Sequence, residues 1–117
     1  MQASDVTAVI MMVHTGAIMT LVALPLWRRK VKPNKLYGFR LRSTLQNEAL
    51  WYEVNAATGR DLTLVGVGLL VLTLGLAFAG ASAMWVSMSG LAWLTLGVSA
   101  MVAHGYLVVG RWERAQR

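Results

Sequence analysis

The sequence predicts an all-α, polytopic membrane protein: three transmembrane helices and a structured cytoplasmic loop that contains a short interfacial helix. Composition comes first. Of 117 residues, 56% are hydrophobic and 14% are charged, little more than half the charged share of about 25% in a soluble domain. The second observation is where charge is missing. Residues 6–27 and 62–110 hold no Asp, Glu, Lys or Arg, and a span needs about 20 apolar residues, so the first stretch supplies one helix and the second two. The third is where charge collects. Between positions 28 and 61, Arg28, Arg29, Lys30, Lys32, Lys35, Arg40, Arg42 and Arg60 face only Glu48, Glu53 and Asp61. The positive-inside rule makes this loop and the basic C-terminal tail cytoplasmic and puts the N-terminus outside. Residues 1–117 are therefore expected to form a single membrane domain, with spans at about 6–27, 61–79 and 84–110 and a loop at 28–60.

Several function classes are excluded by the same counts. No cysteine is present, so disulfides, thiolate metal sites and iron–sulfur clusters are ruled out. A sequence pI of about 10.6 invites a nucleic-acid reading, but a chain mostly in lipid concentrates its lysine and arginine in cytoplasmic loops, and no nucleic acid is expected as a partner. A cleaved leader is not expected either, because the basic cluster follows the first apolar run and the start is acidic.

In the first span, Pro25 lies one turn from the basic end, where a lost backbone hydrogen bond costs least. Trp27 stands where an aromatic interface anchor belongs. The second span carries Gly68 and Gly75 seven residues apart, with Gly75 and Ala79 as a small-xxx-small notch for helix approach. The third places Gly90, Trp93, Gly97, Ala100 and His104 on one stripe, expected to face protein. Apart from His14 and His104, no ionisable side chain is expected inside the spans, and that argues against proton-coupled export and proton relays. No spacing among Asp5, Glu48, Glu53, Asp61 and Glu113 suggests paired acids or metal ligands, and no enzyme is expected.

Imidazole is a ligand for haem iron or chlorophyll magnesium, so His14 and His104 are the residues able to hold a pigment. His14 lies 13 residues before Trp27 and His104 lies 6 before Gly110, a depth difference of about 10 Å. Two axial ligands of one haem need a common depth. Packing and hydrogen bonding are the expected roles, with no cofactor and no metal.

The loop is the informative part. Ser43 and Gln46 fit a capping box, residues 45–57 run without a breaker, and Gly59 stands where a helix C-cap belongs. That helix has two apolar stripes, Leu45, Ala49, Tyr52 and Ala56 on one side and Leu50, Trp51 and Val54 on the other, as expected of a helix wedged between the membrane surface and a second body. Before it, Pro33-Asn34 and Gly38 mark turns.

The segment Pro33, Asn34, Gly38 and Arg40, followed by Thr44, Trp51, Asn55 and Gly59, resembles the signature of the SdpI family, whose founding member is a Bacillus immunity protein against the sporulation-delay toxin. Leu41-Arg42 stands where the family usually continues Arg-Thr. The resemblance implies a span before the motif and two after it, and a partner-binding site at Pro33, Asn34, Gly38, Arg40, Trp51, Asn55 and Gly59. It also implies a protective or signalling role toward a toxin-like peptide or a membrane-associated protein. The alternative reading is a small accessory subunit of a larger membrane complex, beside a haem or pigment. Arg40 either helps fix orientation by charge alone or uses its planar fork on Glu48, Glu53 or a partner's carboxylate.

Overall fold

The computed structural model of the chain describes residues 2–117 and contains α1 (Ala3–Trp27), α2 (Arg42–Gln46), α3 (Glu48–Phe78) and α4 (Ala83–Ala115). Three of these, α1, α3 and α4, are long and apolar enough to cross a membrane. They form a rod of 57 × 22 × 18 Å, longer than a bilayer of about 40–45 Å including headgroups. The 31 residues of α3 make about 47 Å of helix, so α3 carries its N-terminal turns beyond the hydrocarbon.

Both connections are closed by helix-end chemistry. At the end of α1, Arg29 takes a left-handed φ of 58°, and the Lys30 amide reaches back to the Pro25 carbonyl at 2.9 Å. Between α3 and α4 the same geometry is built on Gly80, φ 77°, with the Ala81 amide on the Leu76 carbonyl at 2.9 Å; glycine takes this conformation without the Cβ penalty. Asp5 closes this end of the bundle. Its carboxylate accepts from the Ala83 amide at 2.6 Å and from the Gln2 amide at 3.0 Å, an anion at the N-terminus of α4, where the helix dipole favours it. The loop, the start of α3 and the basic tail of α4 lie at the opposite, basic end.

Small residues set the helix crossings. A Cβ on Gly16 would stand 2.9 Å from the Gly66 carbonyl oxygen, and one on Gly66 would stand 2.6 Å from Thr20 Oγ1, so α1 and α3 touch backbone to backbone. Gly68 receives Trp93 of α4, whose indole donates to the Val65 carbonyl at 2.9 Å. Thr20, Thr58, Thr63 and Thr95 donate to carbonyls four residues back, which keeps their hydroxyls satisfied without water.

The expected stripe on α4 is partly realised. Gly90 lies against Met12 and Gly97 against Val65, but Ala100 is exposed, because a straight helix drifts about 20° per heptad from a seven-residue repeat. The Gly75–Ala79 notch also differs from expectation: both residues are exposed, and a Cβ on Gly75 would meet nothing within 4 Å.

The largest correction concerns residues 45–57. They do not form a separate helix ending at Gly59, since α3 runs unbroken from Glu48 to Phe78. Gly59 is buried inside it, where a Cβ would come within 2.6 Å of the Trp27 amide nitrogen and 3.0 Å of the Ala23 carbonyl oxygen. A glycine that looks like a stop signal is a contact with α1. The Ser43–Gln46 capping box is also absent. Thr44 Oγ1 accepts from the Leu41 amide at 2.8 Å, and Asn47 starts α3 by accepting from the Leu50 amide at 3.1 Å.

Candidate functional site

The site is built at the basic end, where residues 31–41 fold back onto the first turns of α3. Asn34 makes the first turn: its Oδ1 accepts from the Leu36 and Tyr37 amides at 2.8 and 3.0 Å, and its Nδ2 donates to the Lys32 carbonyl at 2.8 Å. This is the Asx-turn chemistry for which asparagine is suited, and Pro33, half-buried, fixes φ just before it. Trp51 then anchors the incoming strand of loop. Its ring is fully buried and its indole donates to the Val31 carbonyl at 2.9 Å.

One turn along α3, Asn55 holds the loop by its backbone. Its Oδ1 accepts from the Phe39 amide at 2.6 Å, while its Nδ2 donates to the Trp51 carbonyl at 3.0 Å and to the Phe39 carbonyl at 3.4 Å. The amide side chain thus imitates a strand partner for Phe39. Gly38 makes this approach possible: its φ is 113°, and a Cβ there would stand 2.8 Å from Asn55 Oδ1 and 3.0 Å from the Trp51 ring.

Phe39 is wedged onto α4. A Cβ on Gly105 would come within 2.4 Å of its ring, and the ring meets Tyr106 edge to face at 5.4 Å. Phe39 and Leu41 pack with Val108 and Trp112 around the buried cluster of Leu50, Val54 and Val109. Of the two apolar stripes expected for residues 45–57, the one with Leu50, Trp51 and Val54 is buried, whereas Leu45 and Ala49 are exposed.

Thr44, fully buried, joins α2 to the loop by contacts with the Leu41 amide and the Phe39 and Leu41 carbonyls. Among the described residues, no buried side-chain nitrogen or oxygen lacks a partner.

Arg40 does not pair with Glu48 or Glu53. Its side chain is directed to the Lys35 carbonyl, while Glu53 pairs with Arg29 at 3.4 Å. Both members of that pair are about half exposed, where an ion pair contributes little. Beneath the loop lies an apolar cleft of about 430 Å³ between Val22 and Leu26 of α1, Thr58 and Leu62 of α3, and Met101, Val102 and Tyr106 of α4, roofed by residues 37–41.

A family model described as the SdpI/YfhL protein family matches residues 30–110, more than half of the chain. The chain belongs to the SdpI/YfhL family. No curated protein and no solved structure matches it. The matched residues include the loop from Lys30 onward, α2, α3 and most of α4, so in this SdpI/YfhL chain the contribution of α1 to the cleft lies outside the family match. As a family member with three membrane-length helices, it is a multi-pass membrane protein.

The expected site residues of this SdpI/YfhL chain are not all brought together. Gly38, Trp51 and Asn55 meet and hold the loop, Pro33 and Asn34 form the turn before them, and Gly59 serves the α1–α3 contact one turn further on. Arg40 remains at the surface.

The histidines are not brought together. His14 is exposed on α1, with Nδ1 on the Ile10 carbonyl of its own helix at 2.8 Å, whereas His104 Nδ1 contacts Asp61. Asp61 also pairs with Arg60 at 3.2 Å. Sequence reasoning assigned Asp61 to the loop charge and missed this α3–α4 clasp. It also missed the Phe39–Gly105 contact, for which no local pattern exists, since the two residues are far apart in the chain.

Proposed function

We propose that this SdpI/YfhL chain is a non-enzymatic protein of the bacterial cytoplasmic membrane, with its N-terminus outside and the loop and C-terminus in the cytoplasm. Its role is protective, immunity-like or signalling, exercised by binding a peptide or protein partner at the loop. One observation carries this reading: the buried motif residues are spent on fixing residues 31–41 to α3. A loop held this firmly presents its exposed side chains in one geometry, which lowers the ordering cost of binding. Leu36, 86% exposed, and Arg40 are the side chains so presented. They combine an apolar contact with a planar cation suited to a carboxylate.

A challenge assay tests it. Cells with and without the protein are exposed to secreted peptide toxins, and the protein is expected to confer survival that Arg40→Lys and Leu36→Ser remove at unchanged membrane levels. Full protection by the double variant excludes the loop as the binding surface.

A second reading, an accessory subunit of a larger complex, is favoured by the outward Gly75–Ala79 notch, which admits another helix. Purification from native membranes in mild detergent separates the two. A stoichiometric co-purifying assembly or a coloured preparation supports the accessory role.

A further inference from the structure

The cleft beneath the loop has a cause in the fold. Near the Asp5 end, α1 and α4 touch directly, with Met12 against Gly90. At the basic end α4 instead receives Phe39 on Gly105, and the loop side chains line the space between α4 and α1. The two helices are held apart there, leaving about 430 Å³, a volume within the range of ligand sites. Its helix walls are mainly apolar, with Val22, Leu26, Leu62, Met101 and Val102 among them. Water needs polar partners to occupy such a space, so hydrocarbon is the matter that fills it in a membrane.

Charge identifies which hydrocarbon. The charged side chain of the lining is Arg40, and no carboxylate is among the described residues that line the cleft. Of the carboxylates on the adjoining part of α3, Glu53 is paired with Arg29 and Asp61 with Arg60 and His104. The guanidinium of Arg40 uses Nη1 on the Lys35 carbonyl, which leaves Nη2 and Nε to donate to a phosphate. Basic pockets between transmembrane helices are suited to anionic headgroups.

We propose that this cleft is a lateral binding site for one anionic phospholipid of the leaflet at the basic end, with an acyl chain between α1 and α4 and its phosphate on Arg40. The site shares Arg40 with the partner reading above but does not rest on it, since bound lipid is read by mass and not by survival, and the cleft-filling variants leave Leu36 and Arg40 unaltered.

Native mass spectrometry tests it on the full chain, reconstituted in vesicles of equal phosphatidylglycerol and phosphatidylcholine and released in mild detergent. One phosphatidylglycerol is expected to stay bound per chain, several-fold more often than phosphatidylcholine. Arg40→Gln should keep a lipid but retain the two kinds equally. Val102→Trp on α4 and Val22→Trp on α1 each fill the cleft from a half-exposed position and should each lose the lipid, whereas Leu21→Trp, next to the cleft on the outer face, should retain it. Equal retention of both lipids by the unaltered chain overturns the proposal. So does unchanged retention by both cleft-filling variants, or loss in the Leu21→Trp control.

Discussion

Asn55 and Gly38 approach each other at the Oδ1 of the asparagine, where a Cβ on Gly38 would stand 2.8 Å away, and the Phe39 amide is held by the same oxygen. Asn55→Ala leaves the half-buried Phe39 amide without its partner, while the Phe39 carbonyl keeps Thr44 Oγ1, and an orphaned buried group costs about 1–3 kcal/mol. Gly38→Ala meets a left-handed backbone penalty of about 1–2 kcal/mol and a contact 2.8 Å from the same oxygen. Each variant should expose residues 31–41 to protease while α3 and α4 stay protected. The double variant should fall short of additivity, because both changes disrupt one contact. Trp51→Ala is a different event from the loss of a binding contact. The ring is fully buried, and Trp→Ala in a packed core costs about 3–5 kcal/mol, so a partner-binding defect in this variant should coincide with protease sensitivity of the loop. Trp51→Phe keeps most of the volume, loses the bond to Val31, and should show a smaller effect in the same assay.

At the scale of helices, two glycines on α3 make opposite predictions. Gly59→Leu drives a side chain into the α1 backbone and should separate α1 from α3, read as a large loss of resistance to SDS-induced unfolding. Gly75→Leu meets open space and should leave the monomer's unfolding unchanged; if it also disperses a co-purifying assembly, the outward notch is a subunit contact. The histidines differ in the same assay. His14 is bonded within its own helix, and His14→Gln should change little. His104 joins α4 to Asp61, and His104→Gln should lower stability by roughly the 0.6–1.7 kcal/mol measured for interhelical polar contacts in membranes. Neither change should affect visible absorbance. A loss of colour on either would make that histidine a pigment ligand.

For the whole molecule, the two ends differ in charge, and the proposed orientation rests on that difference. A cysteine at position 35 should be labelled only from the cytoplasmic side, and one at position 80, beside the Asp5–Ala83 closure, only from outside; external labelling at 35 would reverse the orientation. Three membrane-length helices and a basic loop between the first two were legible in the sequence, because hydrocarbon requires runs of apolar residues and excludes charge regardless of how the helices pack. The turn at Pro33-Asn34 and at Gly38 was legible too, through turn chemistry. The hydrogen bonds by which Asn34 shapes the turn and Trp51 and Asn55 hold the loop from inside were not. Gly59 shows why. Local sequence cannot separate a helix stop from a helix interior, since both use the absence of Cβ, and only the neighbouring backbone of α1 decides between them. The same holds for Asp61, whose charge counts toward orientation by sequence but whose partner, His104, is supplied by another helix. The sequence determined by itself which segments enter the membrane and which end of the bundle is basic, since these depend on composition along the chain. The tertiary structure alone decided that α3 takes in residues 48–60 of the expected loop, that Phe39 seats on Gly105 of α4, and that a cleft opens beside Arg40, because each depends on residues distant in the chain meeting at contact distance.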